Sequence, residues 1–239
     1  MNTIKIDKFF RGMVANNGLS GIETENTIFS FLAAANRSYY GVSCEISLSK
    51  DNEYIVTGCD SLLKYGMLNL DIPSFTYNEL KKFSLVDRKT GHLNEFMFIP
   101  KLADYLAICK AYRKFMFIKI KDHLEPDKIS GFDQFLKDHD ITENYSLISE
   151  NKKQLQILRK LFPGQALYYH ARLVDDDALD YCQKHSINLY VDHHKLKREY
   201  IMSMHLVGLK VITGIVNEKD TAEKMIKYDV DFLFTNILE

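Results

Sequence analysis

Phe115-Met116-Phe117-Ile118-Lys119-Ile120-Lys121 and Tyr145-Ser146-Leu147-Ile148-Ser149 are two short apolar runs, with an amphipathic stretch at residues 129–139 between them. A short run that stays apolar on both faces reads as a strand covered on both sides. A connection of this length with helical periodicity is what a parallel crossover requires. The unit therefore reads as strand, helix, parallel strand. Towards the C-terminus the same alternation continues, with strands expected at residues 166–169, 187–191, 210–214 and 232–235. Helices are expected at 152–161, 176–184, 196–207 and 218–228. Towards the N-terminus, strands at 12–15 and 41–48 accompany helices at 27–36 and 102–112, and residues 53–57 extend the sheet after a polar turn. About eight strands with intervening helices predict an α/β fold, a TIM-like (β/α)8 barrel. Residues 58–99, with Pro73 and short apolar groups, read as a loop excursion after the second strand that packs over one mouth of the barrel.

The chain has 239 residues, and 46% of them are hydrophobic, enough for one domain over residues 1–239. Thirty-one basic and 32 acidic side chains give a formal charge of -1, so no general field attracts nucleic acid. Cys44, Cys59, Cys109 and Cys182 lack metal-finger spacing and read as reduced thiols. No apolar run is long enough to span a bilayer, and the first ten residues do not form a signal peptide. A cytoplasmic location is expected.

Val14-Ala15-Asn16-Asn17-Gly18-Leu19-Ser20-Gly21, followed by Thr24-Glu25-Asn26-Thr27 and Phe31, resembles the opening signature of the glycerophosphodiester phosphodiesterase family. Further landmarks follow in order: Lys50-Asp51-Asn52, Ile99-Pro100-Lys101-Leu102, the two runs quoted first, Val216-Asn217-Glu218, and Val230 to Asn236. The resemblance implies a barrel with its site at the carboxyl ends of the strands. It also implies phosphodiester cleavage by two histidines and a divalent metal held by a Glu-x-Asp pair and a third glutamate.

This chain departs from that pattern at the positions that matter most. Asn16 and Gly58 stand where the resemblance implies histidines, and Asn17 stands for the neighbouring arginine. Ser43 and Glu45 stand for the Glu-x-Asp pair, and Lys119 for the third glutamate. Asparagine and glycine cannot relay a proton as imidazole does, and lysine offers a hard cation no lone pair. No catalytic residue, metal or cofactor is therefore expected. Ser43 and Glu45 share one strand face, as do Lys119 and Lys121, so a closed barrel can bring them together. Asn16, Glu45, Lys64, Lys119 and Lys121 are the expected ligand-binding residues. Lys119 either supplies fixed charge where a metal would stand or pairs with Glu45. Glu25, Asn26 and Thr27 either cap the following helix or line the pocket.

Other candidates have plainer readings. His193, His194 and His205 are expected to be structural or surface residues, and Cys59 an idle thiol. Lys195, Lys197 and Arg198 read as a solvated basic face. The expected function is a degenerate, non-catalytic phosphodiesterase-like protein, a pseudoenzyme related to lipid metabolism. It would bind a small phosphorylated ligand or glycerophosphodiester, or a protein partner. Two alternatives stand beside it: a divergent phosphodiesterase acting on small glycerophosphodiesters, and an interaction module whose former site is purely structural.

Overall fold

The computed structural model describes residues 2–6, 9–61, 63, 70–121 and 126–239, with the backbone alone at 126 and 127. In chain order it forms β1 (Met13–Ala15), α1 (Ile28–Ala35), β2 (Gly41–Leu48) and β3 (Tyr54–Val56). A 3-10 turn (Ile72–Ser74), α2 (Tyr77–Leu80), β4 (Leu85–Val86) and β5 (Leu93–Asn94) follow. Next come α3 (Leu102–Ala111), β6 (Phe115–Ile120), α4 (Pro126–Ser130), α5 (Phe132–Asp138), β7 (Tyr145–Ser149), α6 (Lys152–Leu161) and β8 (Leu167–Ala171). The chain closes with α7 (Asp176–His185), β9 (Asn188–Asp192), α8 (Arg198–Leu206), β10 (Val211–Gly214), α9 (Lys219–Lys227) and β11 (Phe232–Thr235).

Eight parallel strands run in the order β1-β11-β10-β9-β8-β7-β6-β2, and β1 also pairs with β2, which closes the ring. The expected TIM-like barrel is what the chain forms. β3 lies outside the ring, antiparallel to β2. The excursion packs Ile72, Tyr77, Leu80, Leu85, Met97 and Ile99 against Ile55 of β3 in a separate apolar cluster.

Period two along each strand sorts the core into two layers. Val14, Phe117, Ile148, Tyr168, Tyr190, Ile212 and Phe234 cluster in the lumen. Their neighbours Val42, Cys44, Leu147, Leu189 and Leu233 face outward, where they join helix residues such as Phe31, Leu106, Leu155 and Leu158. Each such fully buried side chain contributes about 1.5–3 kcal/mol relative to exposure. Thiols in this packing are chemically quiet: burial pushes Cys109 and Cys182 up to about 12.

Helix starts follow local sequence. Thr27 caps α1 through a reciprocal box with Ser30, and Asn151 and Asp175 accept from the first free amides of α6 and α7. The helix expected at 129–139 is instead two pieces, α4 and α5, meeting at Gly131. Glycine is a poor interior helix residue, and the periodicity of the apolar residues does not register that break. Among the described residues, no helix is long and apolar enough to cross a membrane.

Candidate functional site

Two residues beyond the lumen layer, the inward side chains turn polar. Val14 gives way to Asn16, Phe117 to Lys119, Ile148 to Glu150, Tyr168 to His170 and Phe234 to Asn236. Glu45 lies beside Lys119 in the ladder, and the inward face of β2 adds Ser43 below it. A polar layer thus sits on an apolar plug at the carboxyl ends of the strands.

On one side of this layer the chain turns sharply after β1. Asn17 and Gly18 both adopt left-handed backbone, at φ 54° and 78°. The Asn17 amide donates to Ser43 Oγ at 2.9 Å, and Asn17 Nδ2 donates to Glu25 and to Glu45 Oε1, each at 3.1 Å. Asn26 Oδ1 accepts from the Glu45 amide at 3.2 Å, while its buried Nδ2 has no hydrogen-bond partner among the described residues. Glu25, Asn26 and Thr27 therefore divide their roles: Thr27 caps α1, and the other two buttress the first turn and β2.

Lys119 occupies the centre. Its Nζ donates to Asn16 Oδ1 at 3.0 Å and lies 3.5 Å from Glu45 Oε1, with the lysine side chain 14% exposed. The Tyr190 and Phe234 rings lie 5.7 and 5.5 Å from the ammonium. Burial works against this charge, but Tyr190, Glu45 and Glu25 outweigh it and hold Lys119 above the ordinary lysine value. Asn16 is fixed from its other end, where Nδ2 donates to Asn236 Oδ1 at 3.1 Å.

The metal that the resemblance implies does not fit this donor set. A hard divalent cation takes several oxygen ligands, preferably charged. Of the three inherited ligand positions, only Glu45 is acidic, and Lys119 places a hydrogen-bonded ammonium beside it. Nor is there room for the second histidine without adjustment: a Cβ on Gly58 would stand 3.0 Å from both Asn26 Nδ2 and Glu45 Oε2.

A cleft of about 270 Å³ opens beside Lys119, lined by Glu45, Asp60, Lys119, Lys121, Ser149, Glu150, His170 and Arg172 among others. Lys121 reaches Asp60 at 2.7 Å. Glu150 pairs with His170 Nδ1 at 3.2 Å and with Arg172 Nε at 2.6 Å. Those two partners hold the Glu150 carboxyl down at about 2, the hydrogen bond from His170 contributing most. His170 is also stacked on Tyr190, with ring centroids 4.2 Å apart.

Of the expected site residues, Asn16, Glu45 and Lys119 meet directly, and Lys121 lines the cleft beside them. Lys64 lies outside the described residues. Glu150, His170, Arg172 and Asp60 escaped sequence reasoning. The expected strand at 166–169 stopped short of His170, whereas β8 runs to Ala171. Extending period two from Tyr168 would have placed His170 and Arg172 on the inward face. His205 Nε2 lies 2.9 Å from Asp231 Oδ2. His193 and His194 bring donor atoms within 4.8 Å of Asp192 at the end of β9.

The sequence profile of the Glycerophosphoryl diester phosphodiesterase family matches residues 11–239. The chain belongs to this family. Among its relatives, the glycerophosphodiester phosphodiesterase of Caldanaerobacter subterraneus is 23% identical over 228 residues, spanning 94% of this chain and 93% of the relative. Family members of known structure share the barrel. An Oleispira antarctica phosphodiesterase, solved with the product sn-glycerol-3-phosphate, superposes with a TM-score of 0.87 at 20% identity, covering 97% of this chain and 95% of its own. The glycerophosphodiester phosphodiesterase of Thermotoga maritima gives 0.73 at 20% identity, with 94% and 93% covered. At these identities the likeness establishes the fold of the family, and the chemistry of the mouth rests on the side chains this chain places there.

Proposed function

We propose that this phosphodiesterase-family barrel binds a small phosphorylated ligand at its mouth and does not run the family's metal-assisted hydrolysis. The observation that carries this reading is the Lys119 ammonium held between Asn16 and Glu45. It places a fixed positive charge where the resemblance implies a metal ligand, while Asn16 and Gly58 supply no proton relay. Asn16, Glu45, Lys119 and Lys121 are the ligand-site residues of this proposal, and Lys64 is its fifth member from the sequence. The Oleispira antarctica relative, which holds sn-glycerol-3-phosphate, supports a ligand of that class. Residues 1–239 acting as one cytoplasmic domain are part of the same reading, as is a role beside lipid metabolism or a regulatory protein partner.

The Glu150–His170 pair favours one second reading, a divergent phosphodiesterase in which imidazole at a new position handles protons. A single experiment separates the two. Purified protein is given a panel of glycerophosphodiesters with Mg²⁺, with Ca²⁺ and with chelator, and sn-glycerol 3-phosphate binding is measured by calorimetry on the same sample. Binding without turnover is the expected result. Turnover that follows the protein through purification and disappears in Glu45→Gln or His170→Gln would overturn the non-catalytic reading.

A further inference from the structure

The cations of the mouth are unequally committed, and the difference determines which of them an incoming anion can recruit. Lys119 is held by two partners with 14% of its side chain exposed, and its carboxylate partner Glu45 is 23% exposed. Withdrawing a buried ammonium from such a pair leaves an uncompensated carboxylate, which costs several kcal/mol. The rim pairs are cheaper to rearrange. Arg172 is 81% exposed against a Glu150 that is 33% exposed, whereas Lys121 is 16% exposed and only its partner Asp60, at 60%, stands open. An exposed pair such as Arg172–Glu150 is worth about 0–1 kcal/mol, so a phosphate can share Arg172 with Glu150 at little cost. Charge-assisted bonds to a phosphate, with arginine able to offer two parallel donors, more than return that cost.

We infer that the phosphoryl group of the ligand sits on the rim above β6, β7 and β8, held by Lys121, His170 and Arg172, with Glu150 as the positioning residue of the last two. The inference rests on the ligand-binding reading above and adds two contacts, His170 and Arg172, that lie outside the family signature segments. Glu150 binds both, one through each carboxylate oxygen, and the Tyr190 ring fixes the plane of the imidazole. The site is thereby organised before a ligand arrives, which lowers the ordering cost of binding. The lining acids Glu45, Asp60 and Glu150 match Lys119, Lys121 and Arg172 in number, so selectivity comes from placement rather than from net charge. The cleft, about 270 Å³, falls just below the range of about 300–1,000 Å³ typical of drug-sized ligands, which suits a small headgroup phosphate.

The test is calorimetry with inorganic phosphate, sn-glycerol 3-phosphate and glycerol against the wild type, Arg172→Ala, Arg172→Lys, His170→Gln and Lys184→Ala. Thermal melts accompany each variant, and those at the exposed positions Arg172 and Lys184 are expected to stay near the wild type. Inorganic phosphate and sn-glycerol 3-phosphate are expected to bind and glycerol is not. Arg172→Ala should weaken binding at least tenfold and His170→Gln several-fold. Arg172→Lys should recover only part of the loss, because it keeps the charge without the fork, and Lys184→Ala on the remote helix α7 should change nothing. Wild-type protein that binds none of the probes would overturn the ligand-binding reading and this inference together. Wild-type binding that survives both Arg172→Ala and His170→Gln would overturn the rim site alone.

Discussion

Replacing Lys119 by methionine keeps most of the side chain's volume and removes its charge. In the native protein the ammonium lies 3.5 Å from Glu45 and donates to Asn16 at 3.0 Å. At an effective dielectric of about 20, a pair at that separation attracts by roughly 5 kcal/mol before desolvation is subtracted. The raised Lys119 pKa gives the sign of the balance: burial disfavours the charge, and the surrounding groups more than offset it. After substitution Glu45 keeps the donor Asn17 Nδ2 and some contact with water, while Asn16 Oδ1 loses its donor. Breaking a buried pair from one side costs about 3–5 kcal/mol, and the remaining donor places this case near the lower end, at about 3 kcal/mol. In a chain of this size each kcal/mol moves the melting temperature by about 2–4 °C, so a drop of about 6–12 °C is expected. Differential scanning calorimetry and guanidinium unfolding measure it. The double variant Glu45→Gln with Lys119→Met should regain most of the loss, because no buried charge remains unpaired. A single variant that melts with the wild type, or a double variant no better than the single, would refute the account in which the cost is that of an unpaired Glu45 carboxylate.

The same lysine predicts alkaline behaviour. A folded value above the unfolded value of about 10.4 means that its contribution is fully present below that pH and lost as pH rises through the folded value. Stability curves of wild type and Lys119→Met should therefore converge at high pH, as chemical denaturation at stepped pH would reveal. Glu150 acts at the other end. Its folded value of about 2 gives stability that is present above the unfolded value of about 4.3 and lost as pH falls towards 2. Glu150→Gln should flatten that acid limb, although solvent screening of a carboxylate one-third exposed keeps the effect near 1 kcal/mol or below. Gly18→Ala attacks the first turn directly: a Cβ there would stand 2.3 Å from Ser30 Oγ, at φ 78°. Its expected cost is about 2–4 kcal/mol, read as a loss of soluble protein or a lowered unfolding midpoint.

Period and order made the barrel legible in the sequence. Eight buried runs joined by amphipathic stretches admit few arrangements, because a parallel crossover has one favoured hand and a ring leaves no edge unpaired. Residue identity alone also located the departures at Asn16, Ser43, Gly58 and Lys119. Spacing of two along β2 and β6 placed Glu45 and Lys119 on matching faces, and the strand register put them side by side. Sequence left open whether Lys119 would serve as a free charge or as Glu45's partner. Tertiary structure chose the pair and added Asn16, a residue 103 positions away in the chain.

The rim was hidden for a different reason. Glu150, His170 and Arg172 come from two adjacent strands, and their association depends on where β7 and β8 end and how they register. Local pattern determines strand ends only loosely, since backbone pairing with a neighbour decides whether one more residue joins the ladder. The sequence by itself determined the closed barrel and put Asn16, Ser43, Gly58 and Lys119 at positions where the resemblance implies histidines and metal ligands. Only the folded chain decided which charges neutralise one another at the centre and which remain accessible at the rim. That division depends on separations of a few ångströms between residues from different strands, which the order of residues along the chain does not encode locally.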